Sequence, residues 1–178
     1  LANISSNKNV RILKGFEVEE VLVRNPDDAY SPVRGVACAI TDDTVNSRYA
    51  PPFFFNTEVV VSACGHHPVA GGGLHHALRR FASFGLSEVP PEHQGMHTSS
   101  TDVGEAEDYM VHHTREVSKG LIVAGSQITW LDGCPKTAPT VGGSLHSGLK
   151  SAELAMKCVL RTRESNALRG VGLETAGH

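Results

Sequence analysis

Apolar and polar residues alternate through "VRILKGFEVEEVLVR", Val10 to Arg24, on either side of Gly15. A period of two is the signature of a half-buried strand, so this stretch predicts two short strands flanking the glycine. "NPDDAYSP" supplies two prolines and two aspartates and reads as a turn, and "VRGVACAI", Val33 to Ile40, as the next strand. The three together make a small antiparallel meander. "TDDTVNSRYAPPFFFN" reads as an irregular loop, because Pro51 and Pro52 cannot donate ladder hydrogen bonds.

The pattern then changes. Val59 to Ser62 is a continuous apolar run of the kind buried on both faces, and Leu74, Leu78 and Phe81 recur at helical spacing within Leu74 to Phe84. "EVPPEHQGMHTSSTD" is polar and rich in breakers, a surface loop or linker. Glu105 to Thr114 reads as a short helix and Gly120 to Gly125, "GLIVAG", as a second buried strand. An irregular loop follows. "GGSLHSGLKSAELAMKCVLRT" then opens with glycines and continues as an amphipathic helix with Leu149, Ala152, Met156 and Val159 on one face. Buried strands alternating with helices argue for an α/β layer with parallel strands. The tail from Glu164 onward is expected to fray.

Composition narrows the functional classes. With 178 residues, 40% apolar and 20% charged, the chain has the makings of one globular domain with a core. A formal net charge of -3 gives no electrostatic reason to expect nucleic acid or an anionic membrane as partner. No run reaches the roughly 20 apolar residues that span a bilayer, and "LANISSNKNV" lacks the regions of a signal peptide; the expectation is a soluble intracellular protein. Cys38, Cys64, Cys134 and Cys158 form no CxxC pair and are read as reduced thiols. The second strand, its glycines and the following helix would set backbone N–H donors and a positive helix end beside a ligand phosphate; a packed βα turn without ligand is the alternative.

These motifs resemble the Thi4 family, the thiamine thiazole synthases. "VVVSACGH" is similar to the family's strand ending S-x-C/T-G-H. "GLIVAGSQITWLDGCPKTAPTVGGSLHSGLKSAE" follows the family's G-M-E-V-A-E-x-D-G-x-x-R-M-G-P-T-F-G-A-M-x-x-S-G in spacing, agreeing at Gly125, Asp132, Gly133, Pro139, Thr140, Gly142, Ser147 and Gly148. The resemblance implies the C-terminal portion of a Rossmann-like FAD/NAD-binding α/β fold with its β-meander. In that reading residues 1–163 are part of one dinucleotide-binding domain and 164–178 are a flexible tail. No G-x-G-x-x-G follows an N-terminal strand, so the family's first βαβ unit is expected to be a missing partner region of the same protein.

By resemblance, the reaction builds an adenylated thiazole from NAD, glycine and sulfur, drawn from the enzyme's own cysteine or from sulfide with an active-site iron. Where the family carries C-M-D-P-N, this chain reads "NSRYAPPFFFN", with neither cysteine nor aspartate, which implies altered sulfur or metal chemistry. Carried over residue by residue, the nucleotide-product site falls on His66, Ser126, Lys136, Thr137 and Ala138. His66 is also the candidate iron ligand. The histidine pairs 66/67, 75/76 and 112/113 each offer at most one easy ligand, since adjacent side chains diverge, and are read as surface histidines. Trp130 and Phe53 to Phe55 read as core or subunit-interface packing, and the family's subunit rings imply a homo-oligomer. An FAD-dependent oxidoreductase and a non-catalytic nucleotide-binding paralogue stand as alternatives.

Overall fold

The computed structural model describes residues 7–25, 28, 31–40, 51–65, 103–132 and 141–174, with side chains described as far as residue 165. A meander forms the first sheet: β1 (Phe16–Val23), β2 (Val33–Ile40) and β3 (Phe53–Asn56), in the order β1-β2-β3 and antiparallel throughout. The stretch before Gly15 is not a strand. Val10, Ile12 and Leu13 are exposed there, and Gly15 takes a φ of 76° that turns the chain into β1.

The expected turn between β1 and β2 closes with the Arg24 amide donating to the Pro32 carbonyl, while the Asn25 amide donates to Ser31 Oγ at 2.6 Å. β3 corrects the loop expected through residue 56. Aromatic residues favour a pleated surface, and Phe53 and Phe55 pack edge-on against Phe16, with ring centroids 5.4 and 5.9 Å away. Gly35 makes this pairing possible: a Cβ there would strike the Phe55 carbonyl.

The second sheet holds β4 (Val60–Ser62), β5 (Arg115–Ser118) and β6 (Leu121–Val123), in the order β4-β6-β5. β4 and β6 are parallel, with register Val60↔Leu121 to Ser62↔Val123, and β5 pairs antiparallel with β6. The expected second buried strand is there: Leu121, Ile122 and Val123 are each 0% exposed. The first is an edge strand instead, paired only with β6 among the described residues and leaving Val61 42% exposed. β5 was not expected. It forms a hairpin with β6 through Lys119 and Gly120, where Gly120 has a φ of 86° and a Cβ would collide with the Glu58 carbonyl.

Three helices complete the described fold: α1 (Val103–His113), α2 (Ser126–Leu131) and α3 (Val141–Glu174). α1 buries Ala106, Tyr109 and Met110, the i, i+3, i+4 face that faces a core. α2 replaces the irregular loop expected after β6. Its Gln127, Ile128 and Thr129 are buried. Val21 and Val33 from the meander join Met110, Val117, Leu121, Val123 and Ile128 in one core, with Trp130 packed against it.

α3 runs through Glu174, ten residues beyond Glu164, where the tail was expected to begin. Its buried face is not the apolar one. Gly143, Ser147, Ser151 and Cys158 face inward, whereas Val141, Leu145, Leu149, Met156 and Leu160 are exposed. Small residues let α3 lie close beside α1, and Lys150 Nζ donates to the Val111 and His112 carbonyls at 2.9 and 2.6 Å, satisfying the end of α1.

Candidate functional site at the ends of the parallel strands

In an open α/β sheet, ligands bind beyond the carboxyl ends of parallel strands, where neighbouring chains part and leave a crevice. β4 and β6 end side by side, the Ala124 amide donating to the Ser62 carbonyl at 2.9 Å. Each strand then meets a glycine in the left-handed region, Gly65 at φ 80° and Gly125 at φ 67°. The two exits adjoin: the nearest atom to a Cβ built at Gly65 is Ser126 Oγ, at 3.8 Å, and nothing lies within 4 Å of one built at Gly125. Glycine backbone and small hydroxyls leave room for another molecule to approach closely.

Gln127 fixes this edge. Its Oε1 accepts from Ser62 Oγ at 2.6 Å and from the Cys64 amide at 2.9 Å. Because a backbone N–H can only donate, the carboxamide orientation follows from chemistry. Its Nε2 is buried with no hydrogen-bond partner, a donor that a completed site would satisfy.

A relay of hydroxyls braces the other side. The Gly125 amide donates to Ser147 Oγ at 2.6 Å, and Ser147 Oγ lies 2.6 Å from Thr114 Oγ1, which donates to the Met110 carbonyl at 2.8 Å. Thr114 has one proton and spends it on Met110, so Ser147 donates to Thr114.

Asp132, where α2 ends, is held by a clamp of donors around a buried carboxylate. Arg115 donates two hydrogen bonds to its carboxylate, at 2.9 and 2.6 Å, and Tyr109 Oη a third at 3.0 Å. The carboxylate is 1% exposed, so these donors supply what solvent does not. The clamp fixes the point from which residues 133–140 depart.

Of the expected site residues, Ser126 stands at this edge, between Gly125 and Gln127. His66, Lys136, Thr137 and Ala138 lie outside the described residues, as do Cys134, His67, His75, His76 and the helix expected from Leu74 to Phe84. His112 and His113 bond through Nδ1 to the Asp108 and Tyr109 carbonyls of their own helix, and His113 stacks on Tyr109 at 3.7 Å. Among the described residues no group of three or more His, Cys, Asp or Glu side chains is placed to hold a metal ion. The described side chains at the crevice, hydroxyls, one amide and the Cys64 thiol, do not by themselves make an iron donor set, and His66 lies outside them. Cys38 and Cys158 are buried free thiols, both pushed up in pKa chiefly by that burial, with Glu19 and Glu116 respectively adding to it. Sequence reasoning missed Gln127, Tyr109 and Arg115 as site supports, whereas Ser62, Gly125, Asp132 and Ser147 each fell on a matched motif position without their partners being apparent.

The fold is thus an α/β chain carrying a small antiparallel sheet, with a crevice at the ends of two parallel strands. The sequence profile of the Thi4 family matches residues 1–141, and the chain belongs to that family. It is 31% identical over 159 residues to "Thiamine thiazole synthase 4, chloroplastic" of Physcomitrium patens, covering 89% of this chain and 43% of the relative. To "Thiamine thiazole synthase, chloroplastic" of Chlamydomonas reinhardtii it is 31% identical, covering 97% of this chain and 48% of the relative. The chain therefore spans somewhat less than half the length of these relatives. Its fold is similar to the crystal structure of Thermovibrio ammonificans THI4, with a TM-score of 0.59 and 22% identity over 84% of this chain and 52% of that one. No helix among the described residues is long and apolar enough to cross a membrane.

Proposed function

We propose that the chain is the strand-pair and closing-helix portion of a Rossmann-like dinucleotide-binding enzyme that makes an adenylated thiazole, or a related product, from NAD for thiamine biosynthesis. The observation that carries this reading is the crevice where β4 and β6 end at Gly65 and Gly125 in a Thi4 family chain. There Ser126 and the Gln127 amide offer hydrogen bonds to a nucleotide. Lys136, Thr137 and Ala138 are proposed to reach it from the segment that Asp132 anchors, and His66 from the segment after Gly65. The remaining portion of a longer protein is proposed to cover the open edge of β4 and the apolar face of α3, since both present surface that a parallel sheet and its helices normally bury. Sulfur is proposed to come from outside the chain, because the stretch matching the family's donor segment has no cysteine and burial makes Cys38 and Cys158 poor nucleophiles. Cys64, expected in a buried strand, is instead partly exposed after β4, and with Cys134 it is the thiol to watch.

Mass spectrometry of protein purified from its native host tests both statements. Denaturation should release an adenylated thiazole or a related adenine nucleotide, and Ser126→Trp, which fills the crevice, should abolish its retention. A released flavin would transfer the reading to an oxidoreductase, and a folded but empty protein would overturn it. A cysteine that has lost the elements of hydrogen sulfide would refute the external sulfur source.

A further inference from the structure

At the opposite end of the parallel pair, where β4 and β6 begin, a cleft of about 70 Å³ is lined by Arg24, Arg34, Glu58, Lys119, Thr162 and Ser165. Five separate segments bring these residues together: the end of β1, the start of β2, the approach to β4, the β5–β6 turn and α3. Its floor is solid, because Val33 and Gly120, which also line it, are buried. Among the described residues neither arginine nor Lys119 has a carboxylate at ion-pair distance; the ion pairs there are Arg115 with Asp132 and Arg161 with Glu116. Three cations and one carboxylate leave a formal charge of +3 - 1 = +2 in a chain whose net charge is -3. Like charges held together in a cleft repel, and an anion bound among them relieves that repulsion.

We propose that this cleft is a binding site for hydrogen phosphate, separate from the crevice at the strand ends and independent of the function proposed for it. Charge sets the first limit, since the +2 of the lining matches a dianion. Glu58 sets the second. A carboxylate among anion-binding cations repels sulfate, which has no proton to offer, yet accepts a hydrogen bond from the P–OH of hydrogen phosphate. The two guanidiniums and the ammonium donate to the other oxygens, as does the Ser165 hydroxyl. Thr162 Oγ1 already donates to the Cys158 carbonyl at 3.0 Å and serves only as wall.

Isothermal titration of the full chain at low ionic strength, with the Gly120 amide resonance as a local reporter, tests the assignment. Inorganic phosphate should bind saturably and more tightly than sulfate or glycerol phosphate, whose dianion lacks the proton at neutral pH. Arg34→Gln and Lys119→Gln should each weaken phosphate about tenfold, the loss of one charge-assisted hydrogen bond. Both side chains are exposed, so the fold should be unaffected, as circular dichroism would verify. Glu58→Gln should remove the preference for phosphate over sulfate. Absence of saturable phosphate binding, equal binding of sulfate by the unaltered chain, or phosphate binding unchanged in both cation variants would overturn the proposal. Tighter glycerol phosphate would overturn it in favour of a phosphate ester.

Discussion

Ser147 ties together three elements that are far apart in sequence. From α3 it accepts the Gly125 amide after β6 and hands its own proton to Thr114 at the end of α1. Removing its hydroxyl strands a buried N–H and a buried Thr oxygen, so Ser147→Ala should lower stability by about 1–3 kcal/mol. Urea denaturation would measure this, and a loss under about 0.5 kcal/mol, the scale of an ordinary surface change, would show that the relay is not strained by its absence. The S-G match at Ser147 and Gly148 made the residue visible in the sequence but not its partners. Thr114 lies 33 positions away and Gln127 bonds to Ser62 across 65. Pairings at such separations leave no periodicity to read, so these contacts became apparent only in three dimensions.

At the scale of elements, the β5–β6 hairpin shows why strands were harder to read than helices. Arg115 to Ser118 is four residues long, too short for alternation to stand out, whereas α1 ran long enough for its face to be found. α2 was missed for the same reason, and the strong β-former run at Phe53 to Phe55 was obscured by the two prolines before it. The hairpin is also electrostatically clamped. Glu116 Oε1 accepts from the Gly120 amide at 2.7 Å and from Arg161 at 2.5 Å. Burial alone would raise the Glu116 pKa, but the hydrogen bonds from Arg161 and Gly120 outweigh it, and the group titrates below the ordinary carboxylate range. A carboxylate depressed in the folded state stabilises the fold above its unfolded pKa, and that stability disappears as the pH falls through its folded pKa. The urea midpoint should therefore fall as the pH drops from about 5 toward 3, and Glu116→Gln should flatten that dependence. An equal slope in the variant would remove Glu116 from the account.

On the scale of the whole molecule, the apolar face of α3 was legible in the sequence but its surroundings were not. Leu149 and Met156 are 66% and 67% exposed, because Gly143, Ser147 and Ser151 allow the opposite face to approach α1 more closely. Amphipathic spacing shows that a helix has an apolar face, not whether this chain covers it. Accordingly Leu145→Glu with Leu149→Glu should change the thermal stability of the chain by no more than about 0.5 kcal/mol while reducing its self-association in sedimentation. A large loss of stability would mean that the face is packed. The short β4–β6 pair has a further consequence. Gly120 lines the basic cleft and Gly125 the crevice, five residues apart on one chain, roughly 17 Å at about 3.3 Å per residue. That is about twice the screening length of physiological salt, so a charge seated at one end is largely hidden from the other, and the strand pair acts as a spacer that lets the two ends fill independently.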